Sequence, residues 1–396
     1  MNNFLTETRR TERTEKIAAG HSIYFKNLDA LRFFAFFSVF LFHSFWTNSP
    51  NVEANPIYQF IHQITRIGDL GVNFFFVLSG FLISYLLIQE ENSTGTINIR
   101  NFYMRRILRI WPPFYLICIS LIILVPFFYH LLKGHIFELN ITPWRYFTFL
   151  SNFDQLRHDA TLPTLNSLWS VSVEEQFYAF WPLLFVIFKK KHTIIPIVVV
   201  MLTSIVFRCI YFNQQNVLNG HTLSVIEDMS LGGLLAYCCS YYKNTVHRIA
   251  NKLSRWIILF VYLFMISFIY WANSSANKYV VIFDRFIFAL FFAFVIFEQV
   301  YATKSFFKAG SSKTLTKLGR ITYGLYLYHY LCLYAALKIG QIVGWDHSVF
   351  GVLVLDNVVG LALSIGISWV SYNYFEKLFL SFKKYFIYNT SARSLE

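Results

Sequence analysis

Ten apolar stretches separated by polar segments run the length of this chain. They cover approximately residues 31–47, 72–88, 111–132, 174–188, 194–212, 222–241, 256–273, 279–299, 321–340 and 349–371. A helix needs about 20 mostly apolar residues to cross a bilayer, because lipid offers the backbone no hydrogen-bond partner outside the helix. The fourth stretch is short and the sixth carries acidic residues. The pattern predicts an all-α fold, a polytopic transmembrane helix bundle of about ten spans.

Lysine and arginine alternate along the segments between these stretches. They are concentrated in every second segment, as in TETRRTERTEK before the first stretch, FYMRRILR before the third and FKKKH before the fifth. Short loops rich in these residues stay in the cytoplasm, so we expect both termini to be cytoplasmic. The predicted organisation is a polar N-terminal tail (residues 1–26), one membrane domain (residues 27–376) and a C-terminal tail (residues 377–396).

The composition agrees with a membrane protein and excludes other classes. Hydrophobic residues make up 56% and charged residues 14% of the chain, whereas soluble domains contain about 25% charged residues. The net charge is +13, but its basic residues are spread over many short loops, which argues against a nucleic-acid partner. The five cysteines lie in apolar runs without the spacing of a metal site or a disulfide framework.

Ionisable residues inside predicted spans are costly and are therefore candidates for function. In the first span, Arg32 and His43 are separated by eleven positions, which places them on one helix face, about 16 Å apart along the axis. His43 should lie near the bilayer midplane, where desolvation favours the neutral imidazole, a general base or nucleophile. A structural histidine bonded to a neighbouring helix is the alternative.

Two further clusters flank the third and fourth spans. Arg106 and Arg109 are three residues apart on a predicted helix, so their guanidinium groups could converge on phosphate oxygens. Ordinary anchoring at the cytoplasmic surface is the alternative. Glu174 and Glu175 open the fourth span near the opposite surface. They could position a hydroxyl or orient an imidazole, or they could simply favour a helix start.

A third group of ionisable residues is predicted to lie in the later spans, near the non-cytoplasmic surface of the membrane. It consists of Arg208, Glu227, Asp228, Asp284, Arg285 and Asp356. An ion pair of Arg208 with Asp228 is the economical structural interpretation, and a polar pocket open to the outside is the functional one. In the ninth span, Arg320 and His329 are nine residues apart and fall on opposite faces of the helix.

Five stretches together resemble the acyltransferase-3 family of membrane O-acyltransferases. They are LDALRFFAFFSVFLFH, GVNFFFVLSGFLIS, FYMRRILRIWPPFY, SLWSVSVEEQFYAFWP and GRITYGLYLYH, in the family's order. The resemblance implies transfer of an acyl group, often acetyl, from cytoplasmic acyl-CoA to a hydroxyl of a cell-surface glycan or a lipid-linked sugar. It implies a bacterial inner-membrane location and no tightly bound cofactor or metal. The family's functional positions correspond to Arg32, His43, Arg106, Arg109, Glu174 and Glu175.

These expectations combine into one hypothesis. Acyl-CoA docks from the cytoplasm on Arg106 and Arg109 with help from Arg32 or Arg320, and its thioester reaches His43, which acts as a base or carries the acyl group. The acceptor enters from the other side, near Glu174 and Glu175, which are predicted to be catalytic together with His43. Asp228, Arg208 and His329 are the predicted acceptor-side residues. Some members of the family carry an esterase-like domain after the helices, whereas this sequence is expected to contain the membrane part alone. A secondary transporter using intramembrane acids and histidines is the main alternative, and a noncatalytic assembly protein or receptor is another.

Overall fold

The computed structural model describes residues 25–135, 137–157 and 159–387. Residues 1–24 of the predicted N-terminal tail and the last nine residues lie outside this part, whereas Lys26 of the predicted tail already belongs to the first helix. In the described ranges all regular structure is helical, which confirms the predicted class. The helices of fifteen residues or more in these ranges are α1 Lys26–Phe42, α2 Leu70–Thr94, α3 Ile99–Ile119, α4 Trp169–Ile187, α5 Ile194–Ile210, α6 Thr222–Tyr241, α7 Arg255–Ser274, α8 Lys278–Tyr301, α9 Thr322–Val343 and α10 Asp356–Val370.

Each of the ten apolar stretches overlaps one of these helices. Six helical segments in the described ranges are long and apolar enough to cross a membrane: Pro56–Thr94, Ile99–Lys133, Lys190–Ile210, Arg255–Ser274, Lys278–Tyr301 and Gly351–Phe386. The remaining helices α1, α4, α6 and α9 contain 17, 19, 20 and 22 residues and carry six of the ionisable positions singled out in the sequence: Arg32, Glu174, Glu175, Glu227, Asp228 and His329. Helices of this polarity need protein neighbours rather than lipid around them.

Helices α2 and α6 cross at very close range in the centre of the bundle. Gly80 of α2 packs on the carbonyl of Met229, and Gly232 of α6 packs on the carbonyl of Val77. A side chain at either glycine would overlap the facing backbone, so small residues are what permit this approach. The crossing fixes α2 as the central helix against which α1, α6 and α8 are arranged.

Two helices continue through π-helical turns. α3 contains Pro112 and Pro113 and runs through the π turn Ser120–Leu124 into a further helix, Val125–Lys133. A proline inside a helix removes one backbone hydrogen bond and crowds the preceding turn, which accounts for an irregular path. α10 lies between the π turns Gly351–Leu355 and Ser371–Glu376.

The lysine-rich segments meet at one end of the bundle, which we call the basic end. Glu90 pairs with Arg105 at 3.1 Å, and the Glu91 carboxylate accepts from the backbone N–H of Lys190 at 3.0 Å. The Lys308 ammonium donates to a carbonyl in the last turn of α8 at 2.6 Å. These contacts connect the end of α2 to the start of α3 and to the segment after α4, and they fasten the loop after α8 to its last turn.

At the opposite end, the segment before α4 folds back into the bundle. It forms the short helices Pro143–Phe147, Ser151–Gln155 and Pro163–Ser167. The Tyr326 hydroxyl of α9 donates to the Ser167 carbonyl at 3.1 Å and lies 2.6 Å from the Ser170 hydroxyl. α4 therefore begins beside the first half of α9, well inside the bundle.

Candidate active site

A cavity of about 110 Å³ lies between α1, α2, α3, α4 and α9 on the side of the basic end. We call it the arginine cavity. Its polar lining consists of Arg32, Ser79, Arg106, Arg109, Ser170, Glu174, Tyr178, Thr322, Tyr323 and Tyr326. Three of the four arginines predicted to bind the acyl donor thus line one cavity. Such a concave site with several cations suits an anionic ligand.

The arginines of α3 separate by helix face. Arg106 and Arg109, three residues apart, face the cavity, and the Arg106 guanidinium lies 5.8 Å from the ring centroids of both Phe102 and Tyr178. Arg105 points elsewhere, pairing with Glu90 and donating to the Phe386 carbonyl at 2.7 Å. The two aromatic rings hold the Arg106 side chain in place through cation–π attraction. Its buried Nε–H donates no hydrogen bond within the described residues.

The other two arginines predicted to bind the donor, Arg32 and Arg320, differ in their position relative to the cavity. Arg32 of α1 lines the cavity and forms a short ion pair with Asp29, one helical turn earlier. The side chain of Arg320 is exposed at the end of the helix Lys313–Arg320, whereas its neighbour Gly319 lines the cavity and packs against the Asp29 carbonyl. The structure therefore groups Arg32, but not Arg320, with the arginines of α3.

The two glutamates lie beside the arginine cavity and not beside Asp228. Glu174 lines the cavity and accepts from the Ser79 hydroxyl at 2.6 Å. Glu175 accepts from the Trp111 indole N–H at 2.8 Å. The sequence hypothesis placed both near Asp228 and the entering acceptor, and their role toward the acceptor stays a prediction. The structure brings Glu174 to the arginine cavity because α4 begins deep in the bundle. Five residues after its start, Glu174 lies about 7.5 Å further toward the basic end.

Two histidines from distant parts of the sequence meet in the bundle. His43 Nδ1 lies 2.9 Å from His329 Nε2, and His329 Nδ1 lies 2.6 Å from the Tyr326 carbonyl oxygen. The His43 ring also contacts the ring of Tyr330, with centroids 4.3 Å apart. His329 is fully buried. The sequence places His329 on the helix face opposite Arg320. In the structure, the packing of α9 on α1 turns the face that carries His329 toward His43.

A second cavity, which we call the distal cavity, is lined by residues that contact His43. The distal cavity has a volume of about 380 Å³, and its polar and aromatic lining consists of Ser44, Phe45, Trp46, Phe137, Thr161, Thr164, Tyr330, Tyr334, Asp356 and Asn357. Tyr326, which carries the carbonyl bound by His329, lines the arginine cavity, and Tyr330, which contacts His43, lines the distal one. The pair is therefore adjacent to both spaces.

The predicted acceptor-side residues Arg208 and Asp228 belong to a separate buried network. Arg208 pairs with Asp284 at 2.8 Å and with Glu227 at 3.7 Å, whereas Asp228 pairs with Arg285 at 2.6 Å. The expected Arg208–Asp228 pair is thus replaced by two pairs with α8. Buried charges need such partners, so the network is a structural connection between α5, α6 and α8.

Sequence reasoning missed several polar residues of the site. Ser79, Tyr178 and Tyr326 line the arginine cavity, and Tyr330 connects His43 to the distal cavity. All four lie within or next to the motif stretches. Each of them carries a hydroxyl group within or beside an apolar run, and this feature could have marked them as candidate site residues. In the part of the chain that the structure describes, no cluster of three His, Cys, Asp or Glu could hold a metal ion.

Several known proteins that are similar to this chain are named O-acetyltransferases. The chain is 27% identical over 378 residues to "Putative peptidoglycan O-acetyltransferase YrhL" of Bacillus subtilis, covering 90% of this chain and 55% of that protein. It is 28% identical over 346 residues to "O-acetyltransferase OatA" of Staphylococcus aureus, covering 82% of this chain and 53% of that protein. The chain thus spans about half the length of these relatives. No solved structure matches it.

The family comparison addresses the motif-based resemblance directly. The matching family model is described as an acyltransferase domain and covers residues 25–373, nearly the whole described part of the chain. Together with the six long apolar helices, this match indicates a multi-pass membrane protein. Arg32, His43, Arg106, Arg109, Glu174, Glu175 and His329 all lie within the matched range. The chain therefore belongs to the acyltransferase-3 family, which confirms the resemblance carried by its five motifs.

Proposed function

We propose that this protein is a membrane O-acetyltransferase that moves an acetyl group from acetyl-CoA to a hydroxyl of a cell-envelope glycan. The observation that carries the proposal is the position of His43 and His329, adjacent to both the arginine cavity and the distal cavity. A donor and an acceptor bound in the two cavities would reach the same imidazole. The names of the relatives, which refer to O-acetylation and to peptidoglycan, support acetyl as the group and a glycan as the acceptor.

The arginine cavity supplies the donor side of this proposal. Arg32, Arg106 and Arg109 line it together, and guanidinium groups bind phosphate oxygens through paired, charge-assisted hydrogen bonds. The basic end of the bundle faces the cytoplasm by the positive-inside rule, and this is the compartment that contains acyl-CoA. The Arg106 Nε–H, buried and without an acceptor among the residues that the structure describes, is a donor available to such a ligand.

Hydrogen bonding selects one tautomer for each histidine. A backbone carbonyl can only accept, so His329 Nδ1 must carry the proton donated to the Tyr326 carbonyl. In the neutral ring, His329 Nε2 is then an acceptor, and His43 Nδ1 must donate to it. His43 Nε2 is left with a free lone pair. The chain of bonds prepares His43 to act through this one nitrogen.

Two routes use that lone pair. In the first, His43 Nε2 removes the proton of the acceptor hydroxyl while its oxygen attacks the thioester carbonyl, and the resulting imidazolium returns the proton to the CoA thiolate as the C–S bond breaks. In the second, Nε2 attacks the thioester carbonyl carbon, the C–S bond breaks and CoA leaves as the thiolate, which gives an acyl-imidazolium. The acceptor hydroxyl then attacks the acyl carbon, the bond to Nε2 breaks, and the hydroxyl proton passes to the CoA thiolate. Both routes start from the same tautomer.

Glu174 belongs to the donor side in this scheme. Its carboxylate lies in the arginine cavity and is fixed by the Ser79 hydroxyl. It therefore orients polar groups around the bound donor, and Glu175, held by Trp111, supports the adjacent turn of α3. Neither carboxylate is placed to contact a hydroxyl in the distal cavity.

The test is acetyl transfer by purified protein in detergent. Labelled acetyl-CoA and soluble peptidoglycan disaccharide fragments are the substrates, and both the released CoA thiol and the labelled sugar are measured. His43→Ala should abolish transfer, since the proposed reactive nitrogen is removed. The matched control is His62→Ala, which removes an exposed histidine from the separate helix Pro56–Thr65 and should leave transfer unchanged.

Two results would overturn the proposal. Near-normal transfer by a folded His43→Ala protein would remove this histidine from the reaction. Failure of the wild-type protein to release CoA from acetyl-CoA would remove the donor, and flux of a substrate across a reconstituted membrane without any turnover would then indicate a transporter.

A further inference from the structure

Asp356 and Asn357, at the start of α10, give the distal cavity two unusual hydrogen-bond acceptors. Asp356 Oδ1 accepts from the Trp345 indole N–H at 2.7 Å, and its side chain is largely buried, with the residue 7% exposed. Its other oxygen, Oδ2, is buried and accepts from no donor among the described residues. Buried polar atoms are nearly always paired, so this oxygen indicates a missing donor.

Asn357 repeats the same arrangement one residue later. Its amide nitrogen donates to the carbonyls of Val352 at 3.0 Å and Leu353 at 3.1 Å, which fixes the orientation of the amide. The oxygen Oδ1 is therefore the free atom, and it too is buried without a donor in the part of the chain that the structure covers. A ligand that brings hydrogen-bond donors into the cavity would pair both acceptors.

The remaining surface of the distal cavity is aromatic and apolar. Trp46, Tyr330 and Tyr334 contribute rings to it. Small-molecule sites commonly combine such surfaces with a few polar groups that fix orientation. A pyranose ring matches both features, because its C–H faces pack on aromatic rings and its hydroxyl groups donate hydrogen bonds. A hydrocarbon chain would satisfy the rings but would leave both acceptors unpaired.

The distal cavity also lies beside the proposed reactive histidine. The ring of Tyr330 is 4.3 Å from the ring of His43, and the Trp46 indole N–H donates to the His43 carbonyl at 2.6 Å. Two residues that line the cavity thus contact His43 directly. A sugar held there would present a hydroxyl to the histidine from the side opposite the arginine cavity.

We propose that the distal cavity is the acceptor subsite and binds one sugar unit of the glycan, with hydroxyl groups donating to Asp356 Oδ2 and Asn357 Oδ1. This inference rests on the proposed function for the identity of the reaction, but the binding it describes can be measured alone. It replaces the acceptor position that the sequence suggested around Glu174, Glu175 and Asp228.

The test compares Asp356→Asn with wild-type protein. Asparagine keeps an oxygen for the Trp345 indole and places an NH₂ group where the free acceptor was. We expect the KM for peptidoglycan disaccharide to rise about tenfold, as for loss of one hydrogen bond to a charged group, with the KM for acetyl-CoA unchanged. A second variant, Tyr334→Leu, removes an exposed ring from the cavity wall and should raise the same KM without affecting folding.

The control variant is Asp159→Asn, which makes the same chemical change in another cavity formed by segments at that end of the bundle, lined by Asp159, Trp169 and Asn216. It should leave both KM values unchanged. A parallel measurement needs no turnover: the disaccharide should raise the unfolding temperature of the wild-type protein more than that of Asp356→Asn.

The outcomes separate this inference from the proposed function. Suppose that the wild-type protein transfers acetyl and that Asp356→Asn leaves this activity unaltered, or that Asp159→Asn impairs it instead. Then the distal cavity is rejected as the acceptor subsite, while the proposed function stands. If the protein acetylates 1-dodecanol as efficiently as the sugar, and Asp356→Asn does not change this rate, the distal cavity is a lipid site. This result also rejects the proposed sugar subsite. Thermal stabilisation by the disaccharide that depends on Asp356, in a protein that releases no CoA, supports the subsite while rejecting the proposed reaction.

Discussion

Replacing His329 with alanine tests whether the second histidine controls the first. In the proposed arrangement, His43 Nδ1–H donates to His329 Nε2 across 2.9 Å, and this bond keeps the lone pair on His43 Nε2. His329→Ala leaves that buried N–H without its acceptor. An unpaired buried donor costs about 1–3 kcal/mol, and the whole cost falls on the reactive tautomer.

This cost can be converted into a rate. At about 1.4 kcal/mol per factor of ten, the reactive tautomer becomes about 5- to 150-fold less populated. We expect kcat to fall by that factor, because either proposed route begins from a free lone pair at His43 Nε2. The KM for acetyl-CoA should be nearly unchanged, since the residues that line the arginine cavity are not altered.

A conservative variant separates tautomer control from simple packing. In His329→Gln, the side-chain carbonyl oxygen can occupy roughly the place of Nε2 and accept from His43 Nδ1–H. Initial rates of acetyl transfer should show most of kcat restored in this variant and not in His329→Ala. The reasoning is refuted if a folded His329→Ala protein has wild-type kcat, or if glutamine is no better than alanine.

The remaining predictions concern the donor side and the buried ion pairs. Arg106→Gln should raise the KM for acetyl-CoA by roughly 10- to 100-fold, the range expected for lost bonds to a charged ligand, whereas Arg105→Gln should change it little because Arg105 pairs with Glu90. Equal effects of the two variants in the same kinetic assay would contradict this assignment. Asp228→Ala should lower the unfolding free energy by about 3–5 kcal/mol, because it leaves the Arg285 charge buried and unpaired. Thermal unfolding measures this change, and loss of transfer at normal stability would instead indicate a direct role in the reaction.

Local sequence patterns predicted the helices and which arginines of α3 share the arginine cavity. The apolar stretches mark where helices form because period and length are local properties of the chain. The spacing of Arg106 and Arg109 was equally informative, since residues three apart share a helix face wherever the helix is placed. Arg32 lines the same cavity as Arg106 and Arg109 because α1 packs against α2 in the bundle.

Positions that depend on packing between helices could not be predicted in this way. The contact of His43 with His329 joins residues 286 positions apart, and helix phase says only which way each ring points. The surroundings of Glu174 could not be predicted for a related reason. A span was assumed to begin at the membrane surface, whereas the segment ending in Pro163–Ser167 folds inward and starts α4 beside Tyr326.

The separation of the two cavities limits which part of the donor can move. In the proposed reaction the phosphates of acetyl-CoA stay with Arg106 and Arg109, because carrying their charge deeper into a low-dielectric interior would be very costly. The acetyl group is small and uncharged, so it can pass toward His43 at little cost. In this proposal Tyr326 stands beside the route, with its hydroxyl held by Ser170 at 2.6 Å and its ring 6.1 Å from that of Phe75. A passage walled by fixed rings favours acetyl over long acyl chains, since a longer chain would have to displace side chains that are packed and hydrogen-bonded.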